Sequence, residues 1–417
     1  MWLNRHNYVC LYLILAALCA QDTAIRVDVQ QVLVPVVVTD KKGHHVSGLR
    51  AADFQILEDG VRQEIASFSS GSARNTFVIC IDTLHASAAG AMRVREALEN
   101  VLEKEKPGDA QYVLIGIGRQ LQVLQPATSN PTAVLVKVRS AAFQNAMAGM
   151  DASALGAQLQ QIRSRMAEFC KQCSCGVKSN CDSQIDALKQ SVDAEAERWA
   201  APTKALLDQF KSVVEELAKL PTGRTLILIS EGFGIDPKRE FYAAVSAYLP
   251  NRPQFKLEDS TSGLRGAVQA ASDRNVVIFT IDSRGAAQAS LESSSAMDAA
   301  RSLGSGGGDP IGIGARSRQA PAGNRTAVGM QTNPFGGAPS ASMEELARST
   351  GGVYSHDNGS LLKQLRGALT DGRQYYLLSY VPKNGTHDGK FRTITVEASD
   401  KKLSLRAKAG YWAVAAQ

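Results

Sequence analysis

The chain has 417 residues, 44% hydrophobic and 21% charged, a globular composition with room for a substantial core and two or three domains. Its net charge of +6 is mild for this length, and the Lys and Arg residues are dispersed among Asp and Glu without a basic stripe carrying aromatics. Those features exclude a disordered chain and argue against nucleic acid as a partner.

The opening stretch MWLNRHNYVCLYLILAALCA has Arg5 in a short polar lead, an apolar run from Tyr8 to Leu18 and small residues after it. That layout predicts a secretory signal over 1–20, cleaved near Ala20, on a run short for a bilayer span. An exported protein follows, touching a membrane only through this segment if it stays uncleaved. Residues 21–72 then alternate like half-buried strands, IRVDVQQVLVPVVVTD and DFQILEDGVRQEIASF, with Asp59-Gly60 as a tight hairpin turn.

From 73 to 370 the pattern changes. Short continuous apolar runs, TFVICID, AQYVLIGIG, RTLILIS, NVVIFTID and a weaker GGVYSH, alternate with helical periodicity around 89–104, 131–142, 264–274, 341–349 and 359–369. This predicts an α/β fold with a doubly wound, mostly parallel sheet, to which QLQVLQPAT adds a short antiparallel edge.

Two stretches exceed the minimal sheet. Over about 151–221, Leu155, Leu159, Ile162, Met166 and Phe169 keep helical spacing, as do Ile185, Leu188 and Val192, and then Leu206, Phe210, Val213 and Leu217. The spacing predicts a helical hairpin buried against the sheet or on itself, with Pro202 marking a kink or a new helix start. The second, about 285–340, is rich in Gly, Ser and Pro and reads as a long flexible loop without a phosphate-binding motif.

Cysteines sharpen the picture. Cys10 and Cys19 leave with the signal, Cys80 lies inside an apolar strand, and Cys170, Cys173, Cys175 and Cys181 cluster at the hairpin turn. In an exported chain these four are expected in disulfides, with three pairings open and a structural zinc as the rival. The final segment, 371–417, returns to strands through QYYLLSYVPKNG, GKFRTITVEA and KLSLRAKAGYWA. Neither terminal β segment closes a sandwich alone, so the two are expected to pack together around the inserted middle.

FVICIDTLHASAAG, RTLILISEGFG, NVVIFTIDSRG and the closing YYLLSYVPKNGTHDGKFRTITVE, with the leading VLVPVVVTDKKGHHVSGLRAADFQILEDGVRQEIASF, together resemble the bacterial VWFA-related domain proteins, a family built on a von Willebrand factor A-like core. The resemblance implies a Rossmann-like domain used for adhesion or protein binding in the periplasm or outside the cell, with a divalent metal at the carboxyl ends of the strands. Such a site uses an Asp-x-Ser-x-Ser loop, a threonine and a later acid, because Mg²⁺ takes a near-octahedral oxygen shell completed by a partner's carboxylate. Asp82 matches the first aspartate, but Leu84 and Ala86 stand at the serine positions, and Glu231 stands where the family often has an aspartate, one methylene longer. For the threonine, Asp151 or Ser153 lies in the corresponding region.

The site is therefore expected to be degenerate. Asp82 is read as a loop organiser or helix cap, with Mg²⁺ or Ca²⁺ at a remnant of Asp82 and Glu231 as the alternative. Thr83, His85, Ser87 and Asp282 line the same strand tips. No G-x-S-x-G occurs, so a hydrolase would need Asp82, Glu231 and Asp282 to converge there. The expected function is a non-catalytic protein-binding, adhesion or scaffold module without a cofactor, whose protein ligand the sequence does not name.

Overall fold

The computed structural model describes residues 31–70, 75–147, 152–173, 181–220, 224–233, 262–284, 339–356 and 360–413, together with 238, 241, 242 and 245. The expected signal segment and nearly all of the 285–340 stretch lie outside the described residues.

Four strands open the described chain: β1 (Val32–Thr39), β2 (Phe54–Glu58), β3 (Val61–Gln63) and β4 (Ile65–Ser70). Asp59 and Gly60 join β2 to β3 with φ of 47° and 81°. Positive φ at both central residues is the type I′ geometry whose twist matches a two-residue hairpin, which is why Asp-Gly stands there.

The middle of the chain builds a six-stranded sheet from β5 (Asn75–Asp82), β6 (Ala110–Ile117), β7 (Gln122–Thr128), β8 (Arg224–Ser230), β9 (Val277–Asp282) and β10 (Tyr354–Ser355). Its order is β10-β9-β8-β5-β6-β7, parallel throughout except for β7, which runs antiparallel along the edge. Every residue of β5 and β9 is buried, as strands covered on both faces require.

Helices supply that cover. On one face Phe77, Ile79 and Ile81 meet α1 (Ala88–Leu102) and α2 (Pro131–Val138). On the other, Val78, Cys80 and Leu228 meet the second half of a long helix. The span expected at 131–142 is two helices, α2 and α3 (Ala141–Ala146), because the Ser140 hydroxyl donates to the Lys137 carbonyl at 2.6 Å and accepts the Phe143 N–H at 3.3 Å, ending one helix and capping the next. Burial pushes the Cys80 thiol up, so it stays protonated within the sheet.

The helical hairpin consists of α4 (Ala152–Gln172) and α5 (Asp182–Ala218). Pro202 starts no new helix; α5 runs through it. The helix is anchored on both sides of the proline: Ile185, Val192 and Ala196 pack with Leu159, Ile162 and Met166 of α4, while Leu206, Phe210, Val213 and Leu217 pack on the sheet. Cys173 and Cys181 form a disulfide across the turn, and Cys170 is disulfide-bonded as well, so these sulfurs are not zinc thiolates. Cys175 lies outside the described residues. Closing so short a loop removes about 2.5 kcal/mol of unfolded-state entropy. A Cys173→Ala/Cys181→Ala double variant should lose about that much in urea denaturation; an unchanged midpoint would show that the helices hold the turn unaided.

α6 (Ser262–Asp273), α7 (Pro339–Thr350) and α8 (Leu361–Arg373) complete the α/β layers, and β11 (Tyr376–Tyr380), β12 (Phe391–Ala398), β13 (Ser404–Ala407) and β14 (Gly410–Trp412) end the described chain. These last strands pair directly with the first ones. One antiparallel sheet has the order β13-β1-β11-β4, the other β14-β12-β2-β3. Val34, Val36, Phe54, Ile56, Leu378, Tyr380 and Ile394 form one core between them. Within it Glu58 Oε2 accepts the Tyr380 and Tyr411 hydroxyls at 2.6 and 3.0 Å, which gives a buried polar group its partners.

Candidate functional site

The registers set β5, β8 and β9 side by side, with Ile81 opposite Ile229 and Ser230 opposite Asp282, so their carboxyl ends share one edge. In an open α/β sheet that edge is where ligand sites form. Polar side chains at these tips are nonetheless buried: Asp82, Ser230, Glu231, Asp282 and Ser283 are each at most 7% exposed. Each must find its partners within the protein.

Asp82 finds four. Its Oδ1 accepts the Leu84 and His85 backbone N–H groups at 2.9 and 3.1 Å. Its Oδ2 accepts the Ser230 hydroxyl at 2.7 Å and His85 Nδ1 at 2.8 Å. An ionised carboxylate only accepts, so Nδ1 carries the proton of that bond. Burial would raise the Asp82 carboxyl, but the His85 charge and the hydrogen bonds from His85 and Ser230 outweigh it and hold the group below its usual value. Burial likewise works against charge on His85, and the Asp82 and Glu231 carboxylates overcome it and raise the imidazole. The ring lies near-parallel to that of Phe233, with centroids 5.9 Å apart and an interplanar angle of 28°.

Glu231 is held by the start of α1. Ser87 is the N-cap: its hydroxyl accepts the Gly90 N–H at 3.0 Å and donates to Glu231 Oε1 at 2.5 Å. A Cβ on Gly90 would fall 1.8 Å from that oxygen, so only glycine lets Glu231 reach the cap. Asp282 is engaged separately, accepting the Arg284 guanidinium at 2.7 Å and its backbone N–H at 2.9 Å, with the Tyr354 hydroxyl at 3.3 Å. Burial, reinforced by Asp282, pushes the Tyr354 phenol up to about 12. Thr83 donates to the Ile117 carbonyl at 2.9 Å, tying the loop to β6. Asp151 and the side chain of Ser153 lie outside the described residues.

Three residues that sequence reasoning passed over belong here. Ser230 supplies a hydroxyl to Asp82; its one signal was that it ends the apolar run RTLILIS as Asp82 ends its own. Phe233 carries the His85 ring. Arg93 donates from Nε to the Ser283 carbonyl at 2.9 Å, binding α1 to the end of β9.

The donor set does not fit a divalent metal. Leu84 and Ala86, at the positions of the missing hydroxyls, are buried apolar groups. The oxygens of Asp82 already take four donors, and the Ser87 hydroxyl serves as helix cap and as donor to Glu231. A near-octahedral cation needs oxygens that converge on a common point with lone pairs free. Acyl transfer is also unsupported by the geometry. Serine, histidine and aspartate meet here, yet both Ser230 and His85 bond the aspartate, leaving no base on the serine oxygen.

No protein-family model and no curated protein matches the chain. Among solved structures, an aerotolerance-related membrane protein from Bacteroides fragilis is similar at 10% identity and a TM-score of 0.33, over 72% of this chain and 98% of that one. The conserved hypothetical protein BatB from Bacteroides thetaiotaomicron is similar at 11% identity and 0.32, over 72% and 98%. The human COPII-coat protein Sec24c is similar at 8% and 0.31, over 83% of this chain and 44% of its own. At these TM-scores the likenesses are too distant to bear on function.

Proposed function

We propose that this chain is an exported, von Willebrand A-like binding or scaffold module that is non-catalytic and needs no divalent metal. The observation that supports it best is the closure of Asp82, whose two oxygens are filled by four protein donors where a metal-dependent relative would need them open. The same closure speaks against the carboxylates as hydrolytic acid and base, because Asp82, Glu231 and Asp282 each have separate partners.

The ligand in this reading is a protein. It is expected to engage the parts that exceed the minimal sheet, above all the disulfide-stapled hairpin, since elements added to a rigid scaffold are where specificity is carried. Affinity capture from a native envelope fraction, run in parallel with EDTA and with Mg²⁺, tests the proposal. The same partner should be retained in both. Loss of that partner in EDTA, or hydrolytic turnover abolished by Glu231→Gln, would contradict it.

A further inference from the structure

We propose that His85 takes over the part of the missing cation, its ring occupying the space beside Asp82 and closing the strand-tip centre to divalent ions. The inference rests on the metal-independent reading above and assigns one residue the task of enforcing it.

Four observations converge on His85. Its Nδ1 donates to Asp82 Oδ2 at 2.8 Å, and its backbone N–H donates to Oδ1 at 3.1 Å, so one residue contacts both carboxylate oxygens. A short side chain could make the second bond but not the first. The ring also lies beside Phe233 at 5.9 Å between centroids, so swinging out to admit an ion forfeits that contact together with the bond to Asp82. Its side chain is only 22% exposed although it stands in a loop. Ser230, the other donor to Oδ2, sits on rigid β8 and its oxygen also accepts the Gly232 N–H at 2.9 Å. A hydroxyl can turn a lone pair toward a cation; an imidazole bonded through Nδ1–H offers Asp82 only a donor. Of the two side chains on Oδ2, His85 is therefore the one that excludes a metal. Glu231, fixed by Ser87, adds a second negative charge near the ring.

Removing the ring should uncover a weak cation site in which Asp82 and the Ser230 hydroxyl supply oxygens and water fills the rest of the shell. Full-length wild type, His85→Ala and His85→Asp are titrated with Mg²⁺, Ca²⁺ and Mn²⁺ by calorimetry and by melting in EDTA against millimolar cation. Wild type should show no binding, His85→Ala should gain binding and a cation-dependent rise in melting temperature, and His85→Asp, with an added carboxylate, should bind at least tenfold more tightly than His85→Ala. If both variants fold and neither binds, the role assigned to His85 is overturned while the metal-independent reading stands. A variant unfolded in EDTA that no cation refolds overturns it as well. Binding by wild type itself would overturn both.

Discussion

Asp82→Ala should lower the unfolding free energy by about 3–5 kcal/mol, the range for breaking one side of a buried ion pair. The loss is large because four donors lose their acceptor at once: the Ser230 hydroxyl, His85 Nδ1 and two backbone N–H groups, in a place with almost no solvent. Asp82→Asn keeps the shape and one carbonyl oxygen, so it should cost less. Urea titration at constant m-value measures both. The pair also predicts a pH dependence. The Asp82 contribution is present above its unfolded value and is lost as pH falls through its lowered folded value; the His85 contribution is present below its unfolded value and is lost as pH rises through its raised folded value. Their joint contribution is therefore greatest between about pH 4 and pH 6.5, and Asp82→Ala should flatten that maximum. Equal losses in Ala and Asn variants would assign the effect to the carboxylate's charge instead of its hydrogen bonds.

Lys408→Met is expected to stabilise the protein at neutral pH. Lys408 lies between β13 and β14, wedged against α6, buried to 3% exposure, with its ammonium 3.3 Å from the Ser272 hydroxyl and 5.8 Å from the Tyr411 ring centroid. Burial pulls its pKa down from 10.5 to about 8, and the nearby Asp273 carboxylate offsets this only in part. A charged lysine in that position costs about 3 kcal/mol, which an unbranched apolar side chain of similar length would recover. The sign follows from proton counting. Between pH 8 and 10.5 the unfolded chain holds the proton and the folded chain does not, so wild-type stability rises with pH across that window and is level below it. The methionine variant should be more stable at pH 7 and should lack the rise. A variant that is destabilised at pH 7 would mean that the lysine contributes through contacts worth more than its desolvation.

Much of the fold was legible because the parallel strands are buried on both faces, so TFVICID, RTLILIS and NVVIFTID read as unbroken apolar runs with an acid or serine at the tip. The antiparallel edge strand and the Asp59-Gly60 turn were legible for the same kind of local reason. Less visible were features set by tertiary contacts. Pro202 reads as a break in sequence, yet packing on either side carries α5 through it. Ser140 splits one expected helix into two with bonds made by a single hydroxyl. Lys408 sits among charged neighbours in KLSLRAKAG and looks solvated until the sheet and α6 close over it. At the strand tips, Asp82 and the missing hydroxyls at Leu84 and Ala86 could be read directly. That His85 and Ser230 would share one oxygen of Asp82 depends on the register of β5 with β8, which no local pattern encodes.

Whether the strand-tip centre binds a divalent ion is decided by calorimetric titration of the wild-type protein with Mg²⁺, Ca²⁺ and Mn²⁺. No binding heat is expected from any of the three, because both oxygens of Asp82 are already engaged by the protein. Micromolar binding that Asp82→Ala abolishes would contradict it and restore a metal-dependent site at the end of FVICID.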